Sequence, residues 1–348
     1  MMLESAKSVA DEYLKKALEL GDRSHTATLC FLSLNLFLWH LDAFEEDGDP
    51  EKKFCDKFQA AINFLDNLSD SHLCSNRFPQ DQFDKSQHDF EDEVSGLFSD
   101  VWVDMTDDIY FDQSFVFTKE RFERNGLDPY EFFGGKVVAD CGCGSGKFSH
   151  AIAKFGAKRV VGIDIGKQGL DFAQSQSKKV DYGSKVDFVY GNLLDLPFSE
   201  NSFDLVWSNG VIHHTLDYEK CIQEFGRVLN KHGQLFLYVN GRFGLFEILQ
   251  DTIRKSMANV PRSVFQKYVS SLGVNSGRLY WIMDCCFAPY EWKSKNDVIK
   301  LLEKHGFSKL KQLTRGVETD QIEKISSGEP FATIKYGEGQ LKFIAERS

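Results

Sequence analysis

Val137-Val-Ala-Asp-Cys-Gly-Cys-Gly-Ser-Gly-Lys-Phe148 decides how the rest of the chain is read. Its first residues are a short apolar run ending in Asp140, which predicts a buried strand, Val137–Cys141. Gly142, Gly144 and Gly146 follow at alternate positions, and a helical pattern opens near Lys147. Strand, glycine turn and helix together bring a nucleotide-like ligand against bare backbone. Glycine suits such a turn because it tolerates positive φ and has no Cβ to hold a ligand away. A dinucleotide fold would place its third glycine at position 147, where this chain has Lys147.

Downstream, apolar runs alternate with helical stretches. The expected strands are Arg159–Asp164, Val186–Tyr190, Phe203–Ser208 and Gln234–Val239. The helices between them are Lys147–Phe155, Gln168–Lys178 and Tyr218–Leu229. Apolar strands alternating with helices predict a parallel sheet covered on both faces. Asn296–His305 reads as a further helix, ended by Gly306. Lys309–Leu313 and Leu341–Ala345 read as the last strands, with Gly337-Glu-Gly339 as a hairpin turn and Phe331–Lys335 as one more strand. Ligands on such sheets bind at the carboxyl ends of the strands, near the point where strand order reverses.

Asp164 ends the second strand, and an ionised acid offers only acceptors, which suits ribose hydroxyls. Nicotinamide folds use the same device, so Asp164 alone does not choose a cofactor. Next come Gly191-Asn-Leu-Leu-Asp-Leu-Pro-Phe198 with Asn201-Ser-Phe-Asp204, and then Ser208-Asn-Gly-Val-Ile-His-His-Thr-Leu-Asp217. With the glycine turn, these segments resemble the class I S-adenosylmethionine (SAM)-dependent methyltransferases. Within that class they are similar to the ubiquinone-biosynthesis-like (type 11) small-molecule enzymes. The resemblance is strong over about residues 130–240. It implies cofactor contacts from Asp140, Gly142, Cys143, Gly144, Gly146, Asp164, Ile165, Asn192, Leu193, Asn209 and Gly210. Asn192 stands where the family usually has Asp; its side-chain oxygen still accepts from an amine, with less charge. Asp195 is left unassigned. The amino-methylating N/D-P-P-Y/F sequence is absent after the fourth strand, which argues against N-methylation of nucleic-acid bases.

The implied fold is α/β, a Rossmann-like doubly wound sheet of about seven strands with an antiparallel last strand. Around it are an N-terminal helical module (1–70), a polar linker (71–95) and the methyltransferase domain (96–348). The last of these includes a lid insertion of about 241–292, rich in aromatics and carrying Arg254, Arg262 and Arg278. Leu3, Ala6, Ala10, Tyr13, Leu14 and Ala17 stripe the first helix, with Gly21 as its stop. Thr26–Phe44 reads as a helix buried on several sides, and Phe54, Phe58, Ala61, Ile62, Leu65 and Leu68 stripe a third. A structural cap, a substrate lid and a homodimer surface all suit this module. Gly96–Tyr130 is aromatic-rich, as in relatives where that segment closes over the cofactor; packing against the domain suits it equally.

Composition narrows the partners. A formal charge of −11, from 52 acids and 41 bases, repels phosphate backbones and disfavours a nucleic-acid substrate. The eight cysteines show no C-x-x-C pair, and reduced thiols in the cytoplasm are expected. Cys141-x-Cys143 lies in the glycine turn, and no metal site is expected. The run Ala27–Leu41 is short for a bilayer span.

A hydroxyl acceptor needs a base, whereas an amine needs only its lone pair. His213 and His214 are the expected catalytic residues, because imidazole titrates near neutral pH. Packing under the cofactor and capping of the next helix are their structural alternatives. The expected activity is SAM-dependent methyl transfer to oxygen or nitrogen of a small molecule. The rivals are a peptide or protein methyltransferase and a catalytically silent cofactor-binding subunit.

Overall fold

The computed structural model describes residues 3–19, 23–44, 48–70, 107–274 and 276–348. The expected linker 71–95, the Gly21 stop and the aromatics Phe98 and Trp102 lie outside them. The described chain divides into two compact units, one helical and one built on a sheet.

The sheet unit holds the alternating part of the sequence. Its strands are β1 (Val137–Cys141), β2 (Arg159–Asp164), β3 (Val186–Tyr190), β4 (Phe203–Asn209), β5 (Leu229–Asn240), β6 (Phe307–Leu313) and β7 (Gln340–Arg347). They lie in the order β3-β2-β1-β4-β5-β7-β6. β1 to β5 are mutually parallel, and β7 runs antiparallel to both β5 and β6. Side chains alternate between faces along each strand, so one run feeds two cores. Ala139, Val161, Val206 and Leu237 pack with Ile222 and Phe225 of the helix Tyr218–Val228 and Leu302 of Lys295–Lys304. On the other face, Val138, Val160, Trp207 and Phe236 pack with Phe122, Phe133 and Ile152. There Trp207 lies flat on Phe236, with centroids 3.7 Å apart. Such a pair adds about 0.5–1.5 kcal/mol beyond burial.

Chain order reverses between β1 and β4, which are paired in register from Val138↔Leu205 to Asp140↔Trp207. The carboxyl ends of these two strands are therefore where a ligand is expected.

The helical unit combines Glu4–Glu19, Arg23–Ala43 and Pro50–Asp70 with Leu245–Ser256, Arg262–Ser271, Ser276–Phe287 and Ala332–Tyr336. Residues 243–288 of the expected insertion thus share a unit with the N-terminal helices, while 289–292 belong to the sheet unit. Tyr13 meets Phe58 edge-on at 5.3 Å, and Phe37 meets Trp281 at 5.0 Å. Burial lowers His40 among these rings to about 4, so it packs here as a neutral aromatic. Among the described residues no helix is long and apolar enough to cross a membrane.

Two expectations are corrected near the C-terminus. Phe331–Lys335 is not a strand, because Ala332–Tyr336 is a helix. Its buried positions, Ala332 and Lys335, are three apart, and the Lys335 ammonium donates to the carbonyl of Phe44. Gly337-Glu-Gly339 is not a hairpin turn: it leads from that helix into β7, and Gln321–Ser326 and Ala332–Tyr336 separate β6 from β7.

Candidate functional site

The glycine turn is folded inward on the end of β2. Gly142 and Cys143 both donate to the carbonyl of Ile163, at 2.8 and 3.0 Å. Gly144 donates to Asp164 Oδ2 at 2.8 Å, and Gly146 to the Cys143 carbonyl at 2.9 Å. With these four amides engaged, the turn is poorly suited to cradle a pyrophosphate, which needs N–H groups aimed outward. Two of the glycines are obligatory. Gly142 has φ +81°, and a Cβ there would fall 2.3 Å from Val211. Gly146, at φ +80°, opens the helix Lys147–Lys154, and its Cβ would strike Phe188 at 2.6 Å.

Asp140 is 2% exposed and accepts from Ser149 Oγ at 2.6 Å. Burial pushes its carboxyl up to about 7; the Ser149 bond opposes this and the nearby Asp164 adds to it. Asp164 accepts from Gly144 and, through Oδ1, from Gly166 at 2.8 Å. Burial raises it as well, against those backbone bonds. It is partly exposed, and the Ile165 amide joins those of Gly144 and Gly166 in holding its carboxylate. Asn192 Oδ1 accepts from Leu194 N at 2.9 Å.

The predicted cofactor residues sort by exposure. Gly142, Asp164, Ile165, Asn192, Asn209 and Gly210 are partly exposed at strand ends, whereas Asp140, Cys143, Gly144, Gly146 and Leu193 are buried beneath. Burial drives the Cys141 and Cys143 thiols well above their ordinary values, so neither is a ready metal ligand. Among the described residues no cluster of three or more His, Cys, Asp or Glu could hold a metal ion. Asp204 of the third motif sits at the amino end of β4, where it accepts from Val137 N at 2.9 Å and Asn230 at 2.8 Å.

His213 and His214 lie on the short turn Ile212–His214 after β4, both buried. Their rings are 4.2 Å apart. Here sequence reasoning missed several partners. Tyr290 touches both histidines, and Pro289 O lies 2.7 Å from His214 Nδ1. Tyr110 donates to the Ser145 carbonyl at 2.6 Å, and Ser114 to that of Lys147 at 3.2 Å. The aromatic segment before β1 thus grips the glycine turn. Its aromatic density was the one available signal, and it could not single out Tyr110.

Residues 139–237 match the family model described as methyltransferase domain. The chain is 28% identical over 151 residues to 27-O-demethylrifamycin SV methyltransferase of Amycolatopsis mediterranei, covering 42% of this chain and 55% of that one. It is 34% identical over 136 residues to tRNA U34 carboxymethyltransferase of Campylobacter curvus, covering 38% and 42%. It is 30% identical over 154 residues to 24-methylenesterol C-methyltransferase 2 of Arabidopsis thaliana, covering 40% and 42%. The chain therefore spans about half the length of the curated relatives it matches. Among solved structures, a SAM-dependent methyltransferase from Mesorhizobium loti overlaps 63% of this chain and 95% of its own, at 16% identity and a TM-score of 0.40.

The sheet with its glycine turn is thus a class I methyltransferase domain. Residues 139–237 match the methyltransferase-domain family, whose curated relatives here are methyltransferases and imply SAM as the cofactor of this domain. The residues present suit this group: Asp164 and Asn192 carry carboxylate and amide oxygens at partly exposed strand ends, and among the described residues neither Asp140 nor Asp164 makes an ion pair.

Proposed function

We propose that the protein is an enzyme that transfers a methyl group from SAM to an oxygen or nitrogen of a small-molecule acceptor, in the cytoplasm. The observation that carries this reading is the pair of acids at the carboxyl ends of β1 and β2. Among the described residues neither Asp140 nor Asp164 makes an ion pair, and burial opposes the charge of both. A buried acid without a cation is costly. A ligand that brings hydroxyls and a positive charge relieves that cost.

When bound, SAM supplies a methyl group that is already electrophilic on its sulfonium. The remaining work is positional. Asp164 accepts from ribose hydroxyls, and Asn192 Oδ1 accepts from the adenine amino group. Gly142, Ile165, Leu193, Asn209 and Gly210 shape the walls, and Cys143, Gly144 and Gly146 set the course of the turn. At the end of β4, His214 takes the proton of a hydroxyl acceptor, and His213 packs beside it. The acidic charge of the chain favours a small molecule over a nucleic acid.

Calorimetry with S-adenosylhomocysteine tests cofactor use. Saturable binding of that compound and none of NAD is expected; the reverse overturns the proposal. His214→Ala should cut turnover on a hydroxyl acceptor by about 10²- to 10⁴-fold while sparing affinity for S-adenosylhomocysteine. Unchanged turnover in both His213→Ala and His214→Ala would remove the two histidines from the chemistry.

A further inference from the structure

Residues 289–291 form a strap along the two histidines: Pro289 meets His214, Glu291 meets His213 and Tyr290 meets both. The Pro289 carbonyl lies 2.7 Å from His214 Nδ1. A carbonyl only accepts, so Nδ1 carries a proton at this contact. The Glu291 amide donates to the His213 carbonyl at 2.8 Å, fixing the backbone of the turn. Between them, the Tyr290 ring stacks on His213, at 4.5 Å and 25°, and meets His214 edge-on, at 4.5 Å and 88°.

The far end of Tyr290 is anchored to the sheet. Its hydroxyl accepts from Asn240 Nδ2, and Asn240 Oδ1 accepts from the Tyr238 hydroxyl at 3.1 Å. Tyr238 is paired in register with Asn209 at the end of β4. One chain of contacts thus runs from the strand ends through Tyr290 to both imidazoles.

We propose that Tyr290 is a positioning residue: held by Asn240, it fixes the His214 ring against the Pro289 carbonyl, so that Nε2 is the nitrogen presented for proton transfer. This rests on the reading of His214 as the proton acceptor. Small losses of alignment in such a group cost up to about 10²-fold in rate. The side chain acts through His214 and needs no contact of its own with the acceptor. A hydroxyl acceptor makes the greatest demand on such a base, because its proton must leave as it attacks.

The experiment uses the full chain with ¹⁵N-labelled histidine. Imidazole nitrogen shifts report which nitrogen of His214 carries the proton, without cofactor or acceptor. The wild type is expected to hold the proton on Nδ1, Tyr290→Phe, which loses the Asn240 bond but keeps the ring, to show a small admixture of the other form, and Tyr290→Leu to show a mixture of both forms. In turnover, Tyr290→Leu should lower kcat about 10- to 100-fold with KM for SAM and affinity for S-adenosylhomocysteine unchanged. Tyr290→Phe should recover most of that loss. Should Tyr290→Leu fail to fold, Asn240→Ala releases the hydroxyl but keeps the ring, and a partial mixture with a smaller kcat loss is expected. A wild-type His214 protonated on Nε2, or a folded Tyr290→Leu with unaltered tautomer and kcat, overturns the proposal. A wild type with the proton on Nδ1 that moves no methyl group would sink the proton-acceptor reading instead, and support the strap.

Discussion

Two pairs of acids in the sheet unit are treated in opposite ways. Asp320 accepts from Arg121 at 2.7 and 2.6 Å and from Lys342 at 2.7 Å. Glu323 accepts from Arg315, from Arg124 and from the Gly316 amide. Burial alone would raise Asp320, but Arg121 and Lys342 outweigh it and bring it to about 2. Arg315 holds Glu323 at about 2 as well. Among the described residues Asp140 and Asp164 meet only neutral donors, and both are raised. The first pair is saturated by cations and so is structural. The second sits at the strand ends with its charge opposed by burial, which suits the cofactor-binding role proposed for it.

The largest effect should come from the saturated pair. Asp320→Ala strands Lys342, which is 2% exposed, and Arg121 without their counter-charge. Removing one partner of a buried pair costs about 3–5 kcal/mol. Urea unfolding followed by tryptophan fluorescence should show that loss. A cost under about 1 kcal/mol would mean that the network is an ordinary surface one, and the contrast would fail.

The two pairs should also respond to pH with opposite sign. Asp320 has a folded value below its ordinary 3.8, so its stabilisation is full above about pH 4 and is lost as pH falls toward 2. Asp140, at about 7 in the folded chain, keeps a proton that the unfolded chain releases. Its contribution is therefore most favourable below pH 4 and declines as pH rises to 7, by at most about 4 kcal/mol. Asp140→Asn should flatten that decline. Urea midpoints at pH 5 and pH 8, without ligand, measure it; an identical decline in the variant would free Asp140 of this role.

What the sequence disclosed follows from where its information lies. Apolar runs with fixed-spacing glycines gave β1 to β4 almost to the residue, because strand period and turn chemistry are local. β5 begins earlier than expected, at Leu229, since pairing with β4 resumes across an irregularity near Phe203. Phe331–Lys335 was misread because a short apolar run fits either period until its neighbours are known. Asp164 was legible as a strand-end acid. Ser149 and Tyr290 were not, because an ordinary serine and one aromatic among many gain meaning only from what lies opposite them. The proton on His214 Nδ1 was equally hidden, since the carbonyl it meets lies 75 residues away.

Binding should separate the two pairs more sharply than stability does. Asp164→Asn keeps an oxygen for Gly144 or Gly166 but loses the charge and one acceptor. Hydrogen bonds to charged groups are worth about 1.5–3 kcal/mol, so affinity for S-adenosylhomocysteine should fall about 10- to 150-fold. Unfolding should shift by less than about 1 kcal/mol, because no cation is stranded. Calorimetry beside a urea titration decides the matter. A stability loss as large as that of Asp320→Ala, with affinity retained, would place Asp164 among the structural acids.

The smallest effect belongs to Ser149, whose hydroxyl donates to Asp140 Oδ2 at 2.6 Å. That bond lowers the Asp140 carboxyl against the upward push of burial. Ser149→Ala removes it, so Asp140 should climb further above 7 and hold its proton more often at neutral pH. If the ionised form contributes to holding a cationic ligand, SAM affinity at pH 7 should weaken by about 3- to 10-fold, the worth of one such bond. The deficit should shrink at pH 9, where the carboxyl ionises more fully in both proteins. S-adenosylhomocysteine, which lacks the sulfonium charge, should show a smaller deficit at every pH. Equal deficits for the two compounds, independent of pH, would show that Ser149 shapes the turn and that the charge on Asp140 does not reach the ligand.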